Sequence, residues 1–120
     1  AIDMLTYWGY SKAAQLGGNE NPGMWMVGGT LRLLENSDND VIHAGLAACN
    51  CYDTGVVHAE AVQCPTLFIL GTRDIMTPAR AGKELAKVIT GARVELLEGT
   101  GHSLMMERPN DVLDALITIV

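Results

Sequence analysis

Asp74 and His102 are the two side chains of this 120-residue chain whose types and settings best suit chemistry. Asp74 closes the stretch Thr66-Leu67-Phe68-Ile69-Leu70-Gly71-Thr72-Arg73-Asp74, and His102 closes Gly99-Thr100-Gly101-His102. A carboxylate beside an imidazole fixes the ring tautomer and stabilises the imidazolium, while the imidazole takes a proton from a nucleophile. An acid and a histidine so arranged are two of the three parts of a hydrolytic triad.

The arrangement requires elements that bring both residues to one rim. Leu67 to Leu70 form an apolar run of β-compatible types between Pro65 and Gly71, which predicts a strand covered on both faces. Val94-Glu95-Leu96-Leu97-Glu98 predicts a second strand running into the glycine turn before His102. The linker between them is long enough for a crossover helix, so the strands are expected to be parallel neighbours or near neighbours. Functional groups in open α/β sheets gather just past the carboxyl ends of such strands, where Asp74 and His102 would both lie.

The flanking sequence supplies the helices. Thr77-Pro78 predicts a helix start with the proline at the first helical position, Ala81, Leu85, Val88 and Ile89 follow at core spacing, and Gly91 marks the exit. Pro109 opens a last helix whose Val112, Leu113, Leu116, Ile117 and Val120 form an apolar stripe. Upstream, residues 2–16 predict one amphipathic helix on Met4, Leu5 and Trp8, and the breakers of residues 17–23 predict a loop. Residues 24–34 read as a second helix, weakened at Gly28 and Gly29 by about 1 kcal/mol each. A polar turn at residues 36–40 caps a third, residues 41–52, with Ile42, Leu46 and Cys49 on one face. The run Met24-Trp25-Met26-Val27 suits a core, and equally a ligand pocket or a dimer seam.

The segment 64–120 resembles the C-terminal part of the α/β-hydrolase fold, in its esterase, peroxidase-like and C–C hydrolase branches. The residues that carry the likeness are Cys64-Pro65-Thr66, Gly71-Thr72-Arg73-Asp74 with Thr77-Pro78, and Gly101-His102 followed by Glu107-Arg108-Pro109. The resemblance implies that Asp74 is the triad acid and His102 the triad base. It implies an α/β class with about two parallel strands, residues 61–120 forming the C-terminal hydrolase half and residues 1–60 a helical, lid-like segment over the pocket.

The third member of a triad is not evident. In this fold the nucleophile sits on a Gly-x-Ser-x-Gly elbow, and the nearest match is Gly9-Tyr10-Ser11-Lys12-Ala13. Ser11 keeps the order Ser, Asp, His, but the residues before it look helical, no strand or oxyanion loop precedes it, and the resemblance places it in the lid. Ser103 suits a turn cap, and Cys49 and Cys51 read as small buried hydrophobes on a helix. With the nucleophile-bearing strands absent, a two-stranded sheet with exposed edges is expected to need a partner, and an obligate homodimer is the predicted solution.

Three functional readings follow. The first is a truncated α/β-hydrolase-like protein that hydrolyses small apolar esters weakly, Asp74 and His102 acting with water and no cofactor. The second is metal-dependent hydrolysis, with Asp74 and His102 as ligands joined by His43, His58, Asp53 or a cysteine, and zinc supplying the hydroxide. The spacing matches no metal motif, and His43 and His58 read as ordinary helix or loop residues. The third is a non-catalytic module that binds an apolar ligand or itself.

Composition narrows the partners. A net charge of −6 with only eight Lys and Arg and a pI near 4.8 argue against nucleic acid and anionic membranes. Three cysteines, no cleavable signal and no apolar span of about 18 residues predict a cytoplasmic, reduced protein. Ala at the first position fits methionine removal or a fragment equally.

Overall fold

The computed structural model describes residues 2–119. Its sheet has two parallel strands, β1 (Leu67–Gly71) and β2 (Arg93–Leu97). They pair in the register Leu67↔Arg93 through Gly71↔Leu97, so both end level with each other. The apolar, partly β-branched types of both runs favour a pleated, packed surface, and Pro65 and Gly71 bound the first of them. Helix α6 (Ala79–Ala86) makes the crossover between the strands and packs on both.

Asn110, the second residue of α8 (Pro109–Ile117), follows a proline at the helix start whose fixed φ suits that position. Helix α8 lies against β1, and Val112 and Ala115 are its buried residues. Arg93 ties the start of β2 to the end of α8 by donating from its guanidinium to the Thr118 carbonyl at 2.8 Å and to the Thr118 hydroxyl oxygen at 3.0 Å. Between β2 and α8 a single turn, α7 (Leu104–Glu107), follows the histidine loop.

The N-terminal half is helical. Helices α1 (Ile2–Trp8) and α2 (Lys12–Gln15) are separated by a break at residues 9–11, and both pack on α3 (Met26–Glu35). Tyr10, Ala14, Met26 and Val27 form the buried cluster here, with Leu31 packed on it. Half of the 24–27 apolar run is therefore core, while Met24 and Trp25 are exposed. Helices α4 (Asn39–Cys51) and α5 (Gly55–Glu60) follow, with Ala59 the buried residue of α5.

Several expectations are corrected. Residues 2–16 are two helices, because Gly9 interrupts the first and Ser11 caps the second, its Oγ accepting from the Ala14 N–H at 3.2 Å. Pro78 is the N-cap of α6 and not its first helical residue. The strands are not covered on both faces: Leu67 to Leu70 are half-buried and Arg93 to Leu96 exposed, because α6 and α8 are too few helices to sheathe the sheet. Ile42 is half-buried, but the rest of the α4 face, including Leu46, is exposed, as are Cys49, Cys51 and Cys64, all free thiols. Val120 of the expected apolar stripe lies outside the described residues. Among the described residues no helix is long and apolar enough to cross a membrane.

Candidate active site

The two loops that leave β1 and β2 are stitched to each other. The Thr72 N–H donates to the Leu97 carbonyl at 3.1 Å, the Arg73 N–H to the Thr100 carbonyl at 2.9 Å, and the Gly99 N–H to the Thr72 hydroxyl at 2.9 Å. Gly71 is required where they meet, since a Cβ there would run into the Thr100 and Gly101 carbonyl oxygens. These contacts extend the parallel ladder past the strand ends and set Asp74 opposite His102.

Asp74 is held by its own turn. Its Oδ1 accepts from the backbone N–H groups of Met76 and Thr77, each at 2.9 Å, an Asx-type arrangement that orients the carboxylate. Its Oδ2 accepts from the Thr77 hydroxyl at 2.8 Å and faces His102 Nδ1 at 2.9 Å. The Asp74 side chain is only 7% exposed and that of His102 41%. Burial pushes the Asp74 pKa up, but the Thr77 backbone N–H, the His102 ring and the Thr77 hydroxyl together outweigh it and hold the group below its ordinary 3.8.

A carboxylate oxygen at this distance from Nδ1 calls for the proton on Nδ1, which leaves a lone pair on Nε2. Nε2 has no hydrogen-bond partner among the described residues. An oriented imidazole with an unpartnered basic nitrogen is what general-base catalysis needs.

The histidine loop is anchored from behind by Glu107, which is 3% exposed. Its Oε1 accepts from the Gly101 N–H at 3.1 Å and from the Ser11 N–H at 3.0 Å, and its Oε2 lies 3.2 Å from the same Gly101 nitrogen. Gly101 is needed because a Cβ would strike the Ser11 nitrogen. The Ser103 N–H donates to the Gly9 carbonyl at 2.8 Å. The break between α1 and α2 is thereby fastened to the residues on either side of His102.

Beside these loops lies a largely apolar cavity of about 680 Å³, lined among others by Tyr7, Trp8, Tyr10, Arg73, Ile75 and Gly99. Arg73 and Ile75 flank Asp74 in sequence, and Gly99 belongs to the histidine loop. The cavity is of a size that holds small organic ligands.

The structure thus brings Asp74 and His102 together. Of the other nominated groups, Ser11 lines the same cavity and lies against Gly101, but it is buried, with its hydroxyl accepting as a helix cap; the rest are not gathered around the pair. His58 Nδ1 is engaged with the Tyr52 hydroxyl at 2.9 Å, and Asp53 and His43 are exposed. Among the described residues no group of three His, Cys, Asp or Glu side chains is arranged to hold a metal ion. Two residues beside the pair escaped the sequence reading in these roles: Thr77, read as a helix start, and Glu107, quoted only within a motif. A threonine three positions after the acid signals an Asx-type turn, but nothing local marks the long-range contacts of Glu107.

The family model described as TAP-like protein (Abhydrolase_4) matches residues 39–118, and the chain belongs to the α/β-hydrolase family. Among curated relatives, the bovine (Bos taurus) monoacylglycerol lipase ABHD6 is 38% identical over 58 residues, 48% of this chain and 17% of the relative. Epoxide hydrolase A of Mycobacterium tuberculosis is 36% identical over 69 residues, 57% of this chain and 21% of the relative. The matches therefore span about a fifth of those proteins' length.

Two solved structures share the fold. Est816, described as an N-acyl homoserine lactone degrading enzyme, aligns with 97% of this chain and 45% of its own at a TM-score of 0.73 and 23% identity. A serine hydrolase involved in carbazole degradation, the CarC enzyme, aligns with 98% of this chain and 45% of its own at a TM-score of 0.67 and 19% identity. The two-stranded sheet and its helices are accordingly a partial α/β-hydrolase fold, and the chain is hydrolase-like.

Proposed function

We propose that the chain hydrolyses small apolar esters, with His102 as general base toward water and Asp74 as the carboxylate that orients it. The single observation behind this reading is the 2.9 Å contact of Asp74 Oδ2 with His102 Nδ1, which leaves Nε2 without a partner among the described residues. Water is the nucleophile in this reading because Ser11, the serine nominated from the sequence, has its hydroxyl in a helix cap. This reading assigns the apolar part of the ester to the 680 Å³ cavity, which is lined by Arg73, Ile75 and Gly99 and not by the pair itself, and the relatives named as a lipase and an epoxide hydrolase agree with hydrolytic chemistry. Two copies of the chain form the working unit, in the cytoplasm.

The test is turnover of a short-chain p-nitrophenyl ester by wild type and His102→Ala. General-base catalysis by a positioned imidazole contributes about a hundredfold or more, so the variant should fall toward the uncatalysed rate. Equal hydrolysis by both proteins would discard the reading. Activity that is lost on adding a chelator would replace it with the metal-dependent one.

A further inference from the structure

The hydroxyl of Thr77 touches both members of the pair, at 2.8 Å from Asp74 Oδ2 and 3.0 Å from His102 Nδ1. From this juxtaposition we infer that Thr77 is a positioning residue for His102, its hydroxyl joining the Asp74 carboxylate to hold the ring in a single orientation. The inference rests on the proposed role of His102 as base, and adds the group that keeps it ready.

The proton count makes the case. A threonine hydroxyl has one proton and two lone pairs. The shorter contact, to a carboxylate oxygen, takes the proton, because a hydrogen bond to an ionised acceptor is the stronger one. The oxygen then offers His102 only a lone pair. Nδ1 consequently faces two acceptors, Oδ2 at 2.9 Å and Oγ1 at 3.0 Å, and both favour a proton on Nδ1.

The opposite tautomer fits badly. With Nδ1 unprotonated, its lone pair would meet the Asp74 oxygen head on, and the Thr77 proton would have to leave the carboxylate to serve the ring. Orientation follows from the same geometry. The His102 side chain is 41% exposed, so packing does little to restrain it, and one hydrogen bond defines a contact but not the tilt of a ring. A second acceptor beside the first defines both.

Thr77 has a further advantage in where it sits. Its backbone N–H donates to Asp74 Oδ1 at 2.9 Å, so the residue that presents the hydroxyl is locked to the carboxylate that needs it. The helix start visible in the sequence at Thr77-Pro78 thereby has a second use. The turn that begins α6 also carries the third polar group of the site.

The experiment is nitrogen-15 NMR of the His102 ring, combined with ester kinetics, on wild type, Thr77→Val and Thr77→Ser. Wild type should show the Nδ1–H form alone, with a Thr77 hydroxyl proton slow to exchange. Thr77→Val keeps the shape, the backbone N–H and the Asp74 contact, so it should keep the Nδ1–H form but show a faster-exchanging Nδ1–H and a ring no longer held in one orientation. Its kcat should fall about fivefold to tenfold, the rate equivalent of one hydrogen bond, with KM unchanged. Thr77→Ser should restore both readouts.

A Thr77→Val protein with the wild-type ring spectrum would overturn the inference, as would a wild-type spectrum dominated by the Nε2–H form or a Thr77 hydroxyl that exchanges freely. Where the valine variant does not fold, the exchange of the Thr77 hydroxyl proton in wild type decides the matter, because Asp74 alone accounts for the tautomer. The ring spectrum is independent of turnover. A failure of His102→Ala to reduce hydrolysis would remove the proposed function and leave the role of Thr77 in fixing the ring to be judged by the spectrum.

Discussion

Asp74 accepts hydrogen bonds through both oxygens, two from backbone N–H groups, one from the Thr77 hydroxyl and one from the His102 ring. Every one of them is better satisfied by the carboxylate than by the acid, and the folded-state pKa is lowered despite burial. The linked stability is therefore fully present above the unfolded value near 3.8 and is lost as pH falls through the lower folded value. Wild type should lose Tm steeply below about pH 4, and Asp74→Asn, less stable at neutral pH, should show a flatter profile there. Thermal melts of both proteins between neutral and acid pH provide the check. Parallel profiles would mean that the carboxylate gains nothing from its setting. At this scale the sequence was informative about identity and silent about support: the apolar run ending in Asp74 could be seen in a line of text, whereas the burial of its side chain depends on Thr77 and the facing loop.

Glu107 is where elements are joined. It belongs to α7, accepts from Gly101 in the histidine loop, and accepts from Ser11 at the start of α2, 96 residues away. Truncation to alanine would strand two buried N–H donors. Glu107→Ala should destabilise the protein by on the order of 3 kcal/mol and raise hydrogen exchange at Gly101 and Ser11 together. Denaturant titration and exchange mass spectrometry measure the two effects, and exchange confined to α7 would show that the carboxylate does not couple the loops. Elements were legible in proportion to their pattern. The strands and α6, α8 announce themselves through apolar runs and bounding Pro or Gly. Helix α7 is four residues long, too short for any period to register, and α5 begins on Gly55 and buries only Ala59. The α1–α2 break is not legible in the sequence, because Trp8 and Met4 continue a helical spacing up to Gly9 and the capping role of Ser11 depends on its contact with the Ala14 N–H.

The whole molecule exposes more surface than its size accounts for. A compact monomer of 12.8 kDa has an accessible area of about 6,300 Å², against 8259 Å² here. The radius of gyration is 15.6 Å, where about 13.6 Å is usual for this length. The excess, about 2,000 Å² on one chain, is more than twice the roughly 800 Å² that each partner buries in a standard protein–protein interface. Its character is apolar, since Leu16, Trp25, Leu33, Val41 and Ile117 are all exposed, and each strand of the two-stranded sheet has one free edge. Unpaired edges and apolar faces of this extent drive association. The proposed homodimer answers that physical demand by letting the same surface close on itself about a two-fold axis. Light scattering after size exclusion at micromolar concentration should give twice the chain mass, and dilution should bring loss of near-ultraviolet dichroism along with dissociation, because a sheet of two strands is rarely stable alone. A well-folded monomer under those conditions would show that the chain tolerates its exposed sheet, and would remove the dimer from the account of how the site is held.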